Sequence, residues 1–179
     1  MKILKIVVGV VVLLLGVLLL IALLMDSEWR VERSAEVDAP PNKVMAFISM
    51  LPNWPEWTVW NTENYPEMKM SYAGPNWGVG AQQSWDDGSM VGVLEVTAYD
   101  PAAYMEYVVD MDNGGFVMQC RIETRPVLSH SEVIWSCWGD TGASPIDKLM
   151  MVVFEPLIGK DFQGGLDKLA ARFAKERAP

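Results

Sequence analysis

PIDKLMMVVFEPLIGKDFQGGLDKLAARFAKER, from Pro145 to Arg177, reads as one long helix. Pro145 suits a first helical turn, where its missing N–H is no loss. Phe162, Leu166, Leu169 and Phe173 recur at steps of four, three and four, which draws one apolar stripe. Lys160, Asp161, Gln163, Asp167, Lys168 and Arg172 fill the other face. Gly159 and the Gly164-Gly165 pair interrupt the pattern, each costing about 1 kcal/mol against Ala inside a helix. Glycines kept in such places indicate a bend or a close approach to the backbone. They fit either a packing crevice against a sheet or the wall of a ligand cavity.

The residues before this helix read as a sheet that wraps it. Trp29 to Val37 alternates apolar and polar residues, as a first strand does. Lys43 to Met50 carries Val44, Phe47 and Ile48 at helical spacing, and Pro52 stops it. Asn53 to Asn61 is rich in Trp and predicts a second short helix or a turn. Strands are then expected over Met68–Ala73, Val79–Trp85, Met90–Ala98, Tyr104–Asp110, Phe116–Thr124 and Glu132–Gly139. The Gly, Pro, Asn and Asp residues between them are turn formers. Short connections favour antiparallel pairing of sequence neighbours.

The last two strands give a register. Phe116, Met118, Cys120 and Ile122 share one face, as do Val133, Trp135 and Cys137. If both faces point inward, paired positions sum to an odd number, which Cys120 opposite Cys137 satisfies. The two are either a cross-strand disulfide or buried thiols. Directly opposed strand positions disfavour disulfide geometry, so free thiols are the expectation.

Ile6 to Met25 is twenty residues without a charge. As a helix it is about 30 Å long, the thickness of a bilayer hydrocarbon core. Ala22-Leu-Leu-Met-Asp-Ser offers no small-x-small cleavage site, which predicts an uncleaved signal anchor over residues 1–28 and a domain over 29–179. Lys2 and Lys5 precede the span, and Asp26 and Glu28 follow it. A single-pass protein is expected, N-terminus cytoplasmic and domain outside, in the periplasm if the cell is Gram-negative.

About 150 residues remain, enough for one domain with a sizeable core. The net charge is −9, and −11 without Lys2 and Lys5. Such a surface repels phosphate backbones, so no nucleic-acid partner is expected. Eight Trp and twelve Met are a heavy load of large apolar side chains, suited to irregular gaps and adaptable apolar surfaces. No CxxC and no His/Cys cluster of metal spacing occurs, so neither metal nor cofactor is expected.

Candidates for catalysis are few. His130 is the single histidine and falls in the turn Leu128-Ser129-His130-Ser131, where a solvated side chain is the expectation; no Ser-His-Asp set is expected around it, and one histidine cannot make a zinc triad. Asp86 and Asp87 flank a hairpin glycine and read as turn chemistry. Glu95 lies among apolar strand residues; buried, it would serve as an acid or base, but a solvent-facing position is the expectation. Trp54, Trp57 and Trp60 fall on one side of a helical turn. They either pack the short helices onto the sheet or line a cavity mouth and stack on a planar ligand.

Four motifs in order now carry a resemblance: Trp54-x-x-Trp57-x-x-Trp60-Asn61; Gly78-Val79-Gly80-Ala81-x-x-x-Trp85; Val91-Gly92-x-Leu94-Glu95-Val96; and Ile158-Gly159-Lys160-Asp161-Phe162-x-x-Gly165-Leu166-x-x-Leu169. Over about Trp29 to Glu176 the chain resembles the START-like (SRPBCC) superfamily, most closely its bacterial polyketide cyclase/dehydrase and lipid-transport group. Gln163-Gly164 departs from the acidic residue such sequences carry after the Phe. The resemblance implies an α+β helix-grip fold, a curved antiparallel sheet around the C-terminal helix and an apolar cavity. It brings no catalytic motif. The cavity candidates are Trp54, Trp57, Trp60, Trp85, Met118, Trp135, Phe162, Gly165 and Leu166. The function expected is membrane-tethered binding or transport of a lipid or other apolar small molecule. The alternatives are an accessory subunit of a membrane complex, for which Gly9 and Gly16 allow close helix contact, and a cyclase- or hydrolase-type enzyme. Expected partners are therefore an apolar molecule, the membrane through the N-terminal helix, and membrane-complex subunits in the first alternative.

Overall fold

A computed structural model of the chain describes residues 2–177. Its elements follow in the order α1 (Lys2–Leu24), β1 (Glu28–Val37), α2 (Pro41–Ile48), α3 (Trp54–Trp57), β2 (Lys69–Ala73), β3 (Gln82–Asp86), β4 (Val91–Asp100), β5 (Tyr104–Met111), β6 (Phe116–Val127), β7 (His130–Asp140) and α4 (Pro145–Arg177). Seven strands form one antiparallel sheet in the order β1-β7-β6-β5-β4-β3-β2. Sequence neighbours pair throughout β2 to β7, and β1 closes the far edge on β7.

Alternation decides which residues face inward. In β4, Gly92, Leu94 and Val96 are buried while Val91, Val93 and Glu95 are exposed. The register extends this across the sheet: Val96, Tyr107, Cys120, Cys137 and Val31 form one inward row. Leu94, Val109 and Met118 form the next, with Gln83 at its end. The pairing of β4 with β5 shifts between Val96 and Ala98, an irregularity of the kind that bends a strand.

The sheet grips α4. Phe162, Leu166, Leu169 and Phe173 are all buried, as the stripe requires. Burying such side chains stabilises the fold by roughly 1.5–3 kcal/mol each. The three helix glycines mark close approaches. A Cβ at Gly165 would meet the Trp135 ring at 3.1 Å, one at Gly164 would meet Val59 at 3.2 Å, and one at Gly159 would run into the Arg33 guanidinium. Pro156 lies inside α4, where it removes one helical N–H donor.

Several expectations need adjusting. α2 opens at Pro41, two residues before the expected Lys43, because a proline suits the first helical position. Val79 to Ala81 is loop, not strand: Gly78 and Gly80 hold φ of +80° and +84°. His130 is the first residue of β7, paired with Val127, and the turn proper is Leu128-Ser129. Cys120 and Cys137 are joined in a disulfide, which corrects the expectation of free thiols. Their strands approach closely enough, Cα to Cα 4.0 Å, to bring the sulfurs together.

α1 is apolar and long enough to cross a membrane. From Ile3 to Leu24 its large side chains are exposed, and Ala22 alone is buried among its described residues. Its end is tied to the domain. Lys148 Nζ donates to the Met25 carbonyl at 2.6 Å, and the Thr141 amide and hydroxyl both donate to the Ser27 carbonyl.

Candidate functional site

The inward rows, the segment after α3 and the middle of α4 enclose a cavity of about 310 Å³. Leu94, Val109 and Met118 come from the sheet, and Ile158, Asp161 and Phe162 from α4. Trp54, Thr58, Trp60, Tyr65 and Met68 close it from the helical side. The Cys120–Cys137 disulfide lies in its wall. Five of the lining residues are methionines, Met68, Met70, Met90, Met111 and Met118. Such unbranched, polarisable side chains let a wall adapt to its contents.

Of the nine residues expected from sequence, Trp54, Trp60, Trp85, Met118 and Phe162 line the cavity. Trp57, Trp135, Gly165 and Leu166 do not; they are buried in the core behind it. The two groups are joined by one aromatic cluster. Trp135 stacks on Phe162 with centroids 4.1 Å apart and planes 2° from parallel. Trp57, Trp60 and Trp54 surround the Trp135 ring at 5.0, 5.8 and 6.0 Å. Among the tryptophans at spacing three, Trp57 packs in the core, while Trp54 and Trp60 also face the cavity. Trp85 takes its place because its strand partner is Gly92, which leaves room for the indole above it.

Polar groups in the wall are sparse. Trp135 Nε1 donates to the Tyr107 hydroxyl at 2.6 Å, a buried bond at the base of the cavity. Burial pushes the Tyr107 phenol far above its ordinary pKa, against the opposing bond from Trp135, so it stays neutral. Gln83 is 5 % exposed, and its Oε1 has no hydrogen-bond partner among the described residues. Burial raises the Asp161 carboxyl above its usual range, with Lys160 opposing. Asp87 at the rim accepts from Ser89 and the Met90 amide, bonds that hold its pKa down.

The other carboxylates and the histidine stand elsewhere. Glu95 is exposed on the convex face and accepts from Gln82 Nε2 at 3.0 Å. His130 Nε2 lies 3.4 Å from Glu36, outside the cavity lining.

Residues 28–174 match the family model described as polyketide cyclase / dehydrase and lipid transport. The chain belongs to this family. No curated protein matches it in sequence. Among solved structures it resembles the solution structure of a protein from Thermobifida fusca, at 22% identity and TM-score 0.61, over 83% of this chain and 95% of that one. It also resembles Ara h 8.0201 (15% identity, TM-score 0.56, 83% and 99% covered). The Aha1 protein of Colwellia psychrerythraea is a third (12%, 0.58, 84% and 99%). At these identities the likeness is one of fold.

Within the polyketide cyclase/dehydrase and lipid-transport fold, this cavity can hold an apolar body and grip it at few polar points. Sequence reading missed three of those points: Gln83, Tyr107 and Asp161. Tyr107 sits at an alternating inward position of β5 and was legible as such. Gln83 was legible only through Trp85, two residues on along β3 and therefore on the same face, because Gln-Gln-Ser-Trp-Asp has no other apolar residue to mark its inward side.

Proposed function

We propose that this chain is a membrane-tethered protein that binds or transports a lipid or other apolar small molecule in its helix-grip cavity. The cavity carries the reading: it is walled by methionine and aromatic side chains and offers few polar contacts. Binding sites of this kind are mostly apolar, with a few placed polar groups that fix orientation. Gln83 Oε1 is the buried acceptor in the wall, so the ligand presents one O–H or N–H donor to it. Two features support an outside location. α1 is long and apolar enough to be an anchor, with Lys2 and Lys5 in its first turn and Asp26 and Glu28 after its end. The Cys120–Cys137 disulfide is a bond that persists in oxidising compartments.

Native mass spectrometry of the detergent-extracted full chain tests the reading. A co-purifying apolar molecule, displaced by a fluorescent fatty acid in titration, is the expected result. A chain that carries no such molecule and binds no apolar probe would refute it. A reporter fused to the C-terminus should be active only outside the cytoplasm.

A further inference from the structure

Helix α4 changes character at Pro156. At 100° per residue, Ile146, Leu149, Met150, Val153, Phe154 and Leu157 fall on the side opposite the buried stripe of Phe162, Leu166, Leu169 and Phe173. Five of the six are exposed, from 43% at Phe154 to 66% at Ile146. Beyond Pro156 the same outward side carries Lys160, Asp167, Lys168 and Lys175, the pattern of a solvated helix. One helix thus presents an apolar outer face over its first three turns and a charged one thereafter.

The place of the apolar half indicates what covers it. Lys148, within the stripe's first turn, is bonded to the carbonyl of Met25, where α1 ends. α1 and α4 are in contact, and Thr141 fastens the preceding loop to Ser27. The apolar side chains of α4 therefore continue the exposed apolar surface of α1 at one end of the span. Phe154 is also the i,i−4 neighbour of Ile158, which lines the cavity.

We propose that the outward face of α4 from Ile146 to Leu157 lies in the interface of the bilayer that α1 crosses, where it holds the domain against the leaflet and leads apolar ligand past Phe154 and Ile158 into the cavity. This rests on the tethered reading above. Interfacial helices bury an apolar face at the headgroup boundary in this way. With no cluster of Lys or Arg on this half of α4, and a net charge of −9, contact is driven by apolar burial and does not require anionic lipid.

The test uses the full chain in phosphatidylcholine vesicles. Both native cysteines are in the disulfide, so a cysteine placed at Val153 takes an environment-sensitive fluorophore alone. V153C is compared with K168C, on the same outward side beyond Pro156, and with L14C inside α1. Doxyl-labelled lipid should quench the label at 14 and at 153, but not at 168, and equally when phosphatidylglycerol is added. A water-like, unquenched label at 153 with quenching at 14 overturns the interface and leaves the tether. A label at 153 shielded from water yet not quenched by lipid also overturns it, because protein then covers the face. Absence of quenching at 14 overturns the tether itself. The double variant V153E/F154E should load a fluorescent fatty acid from vesicles several-fold more slowly, with unchanged affinity for the same probe presented in detergent. Unchanged loading refutes the ligand path.

Discussion

Replacing the three glycines of α4 by alanine, one at a time, separates helix propensity from packing. Each substitution gains about 1 kcal/mol of intrinsic helix stability. What it meets differs. At Gly159 the new methyl displaces the end of the flexible Arg33 side chain. The loss of the Arg33 bond to the Glu32 carbonyl, about 1 kcal/mol, roughly cancels the gain. At Gly164 it presses one methyl of Val59, so most of the gain survives. At Gly165 it meets Trp135 at 3.1 Å and the Trp57 carbonyl at 3.5 Å. Trp135 has nowhere to retreat: its indole N–H is bonded to Tyr107, and Phe162 is stacked 4.1 Å away. Overpacking of this kind costs about 1–3 kcal/mol, so G165A should be neutral to destabilising by about 2 kcal/mol. Chemical denaturation of the full chain in detergent, followed by tryptophan fluorescence, should rank G164A above G159A and both above G165A. If G165A instead raises stability by the full propensity gain, the tight seat on Trp135 is wrong. Leu at the same position adds a second readout. Parallel loss of stability and of apolar-probe affinity marks Gly165 as packing; loss of affinity alone marks it as cavity wall.

Three further outcomes are expected. Replacing Cys120 and Cys137 together by Ala should cost about 3 kcal/mol, as for a closed loop of similar length; equal melting of the wild type with and without reductant would refute the disulfide's contribution. Tyr107→Phe leaves the buried Trp135 N–H without its acceptor and should cost about 1–3 kcal/mol in the same denaturation assay; an unchanged midpoint would count against that bond. Because burial raises the Asp161 carboxyl and an apolar ligand would bury it further, binding takes up a proton. Affinity should be greatest below the ordinary carboxylate pKa and decline as pH rises through the raised one. Asp87, held low by its hydrogen bonds, stays ionised across that window. Calorimetry of Asp161→Asn should show a flattened profile; an unaltered one would assign the proton elsewhere.

Much of the fold was legible because it rests on periodicity. The α4 stripe, the alternation in β4 to β7 and the odd-sum register of the two cysteines are each set by a single local period. The bond between those cysteines was not legible, since opposition fixes the pairing but not how closely two particular strands approach. The site was legible only as far as "inward". Phe162 and Leu166 share one helix face, yet only Phe162 reaches the cavity; the difference lies in what the sheet sets opposite each. Trp57 and Trp60 divide in the same way. The outer stripe before Pro156 escaped notice because its period is in register with the helix but on the side opposite the core.

The cavity also bears on why this concave face is braced as it is. Core voids cost about 24 cal/mol per Å³. Applied to about 310 Å³, that is on the order of 7 kcal/mol, an upper bound because the cavity opens at its mouth. The net stability of a domain is only about 5–15 kcal/mol. A hollow of this size must be offset by neighbours that pack well, and they are found directly behind it. Trp57, Trp135, Leu166 and Leu169 are fully buried in the adjoining core, and the disulfide ties two of the strands that form the wall. Thus five methionines set among aromatic rings make the adaptable part of the wall, while Trp57 and Trp135 one layer back are held by ring packing and by the bond from Trp135 to Tyr107. Under the proposed binding function, the methionines supply the side of the wall that adapts to a ligand, and the cluster around Trp135 supplies its packed backing.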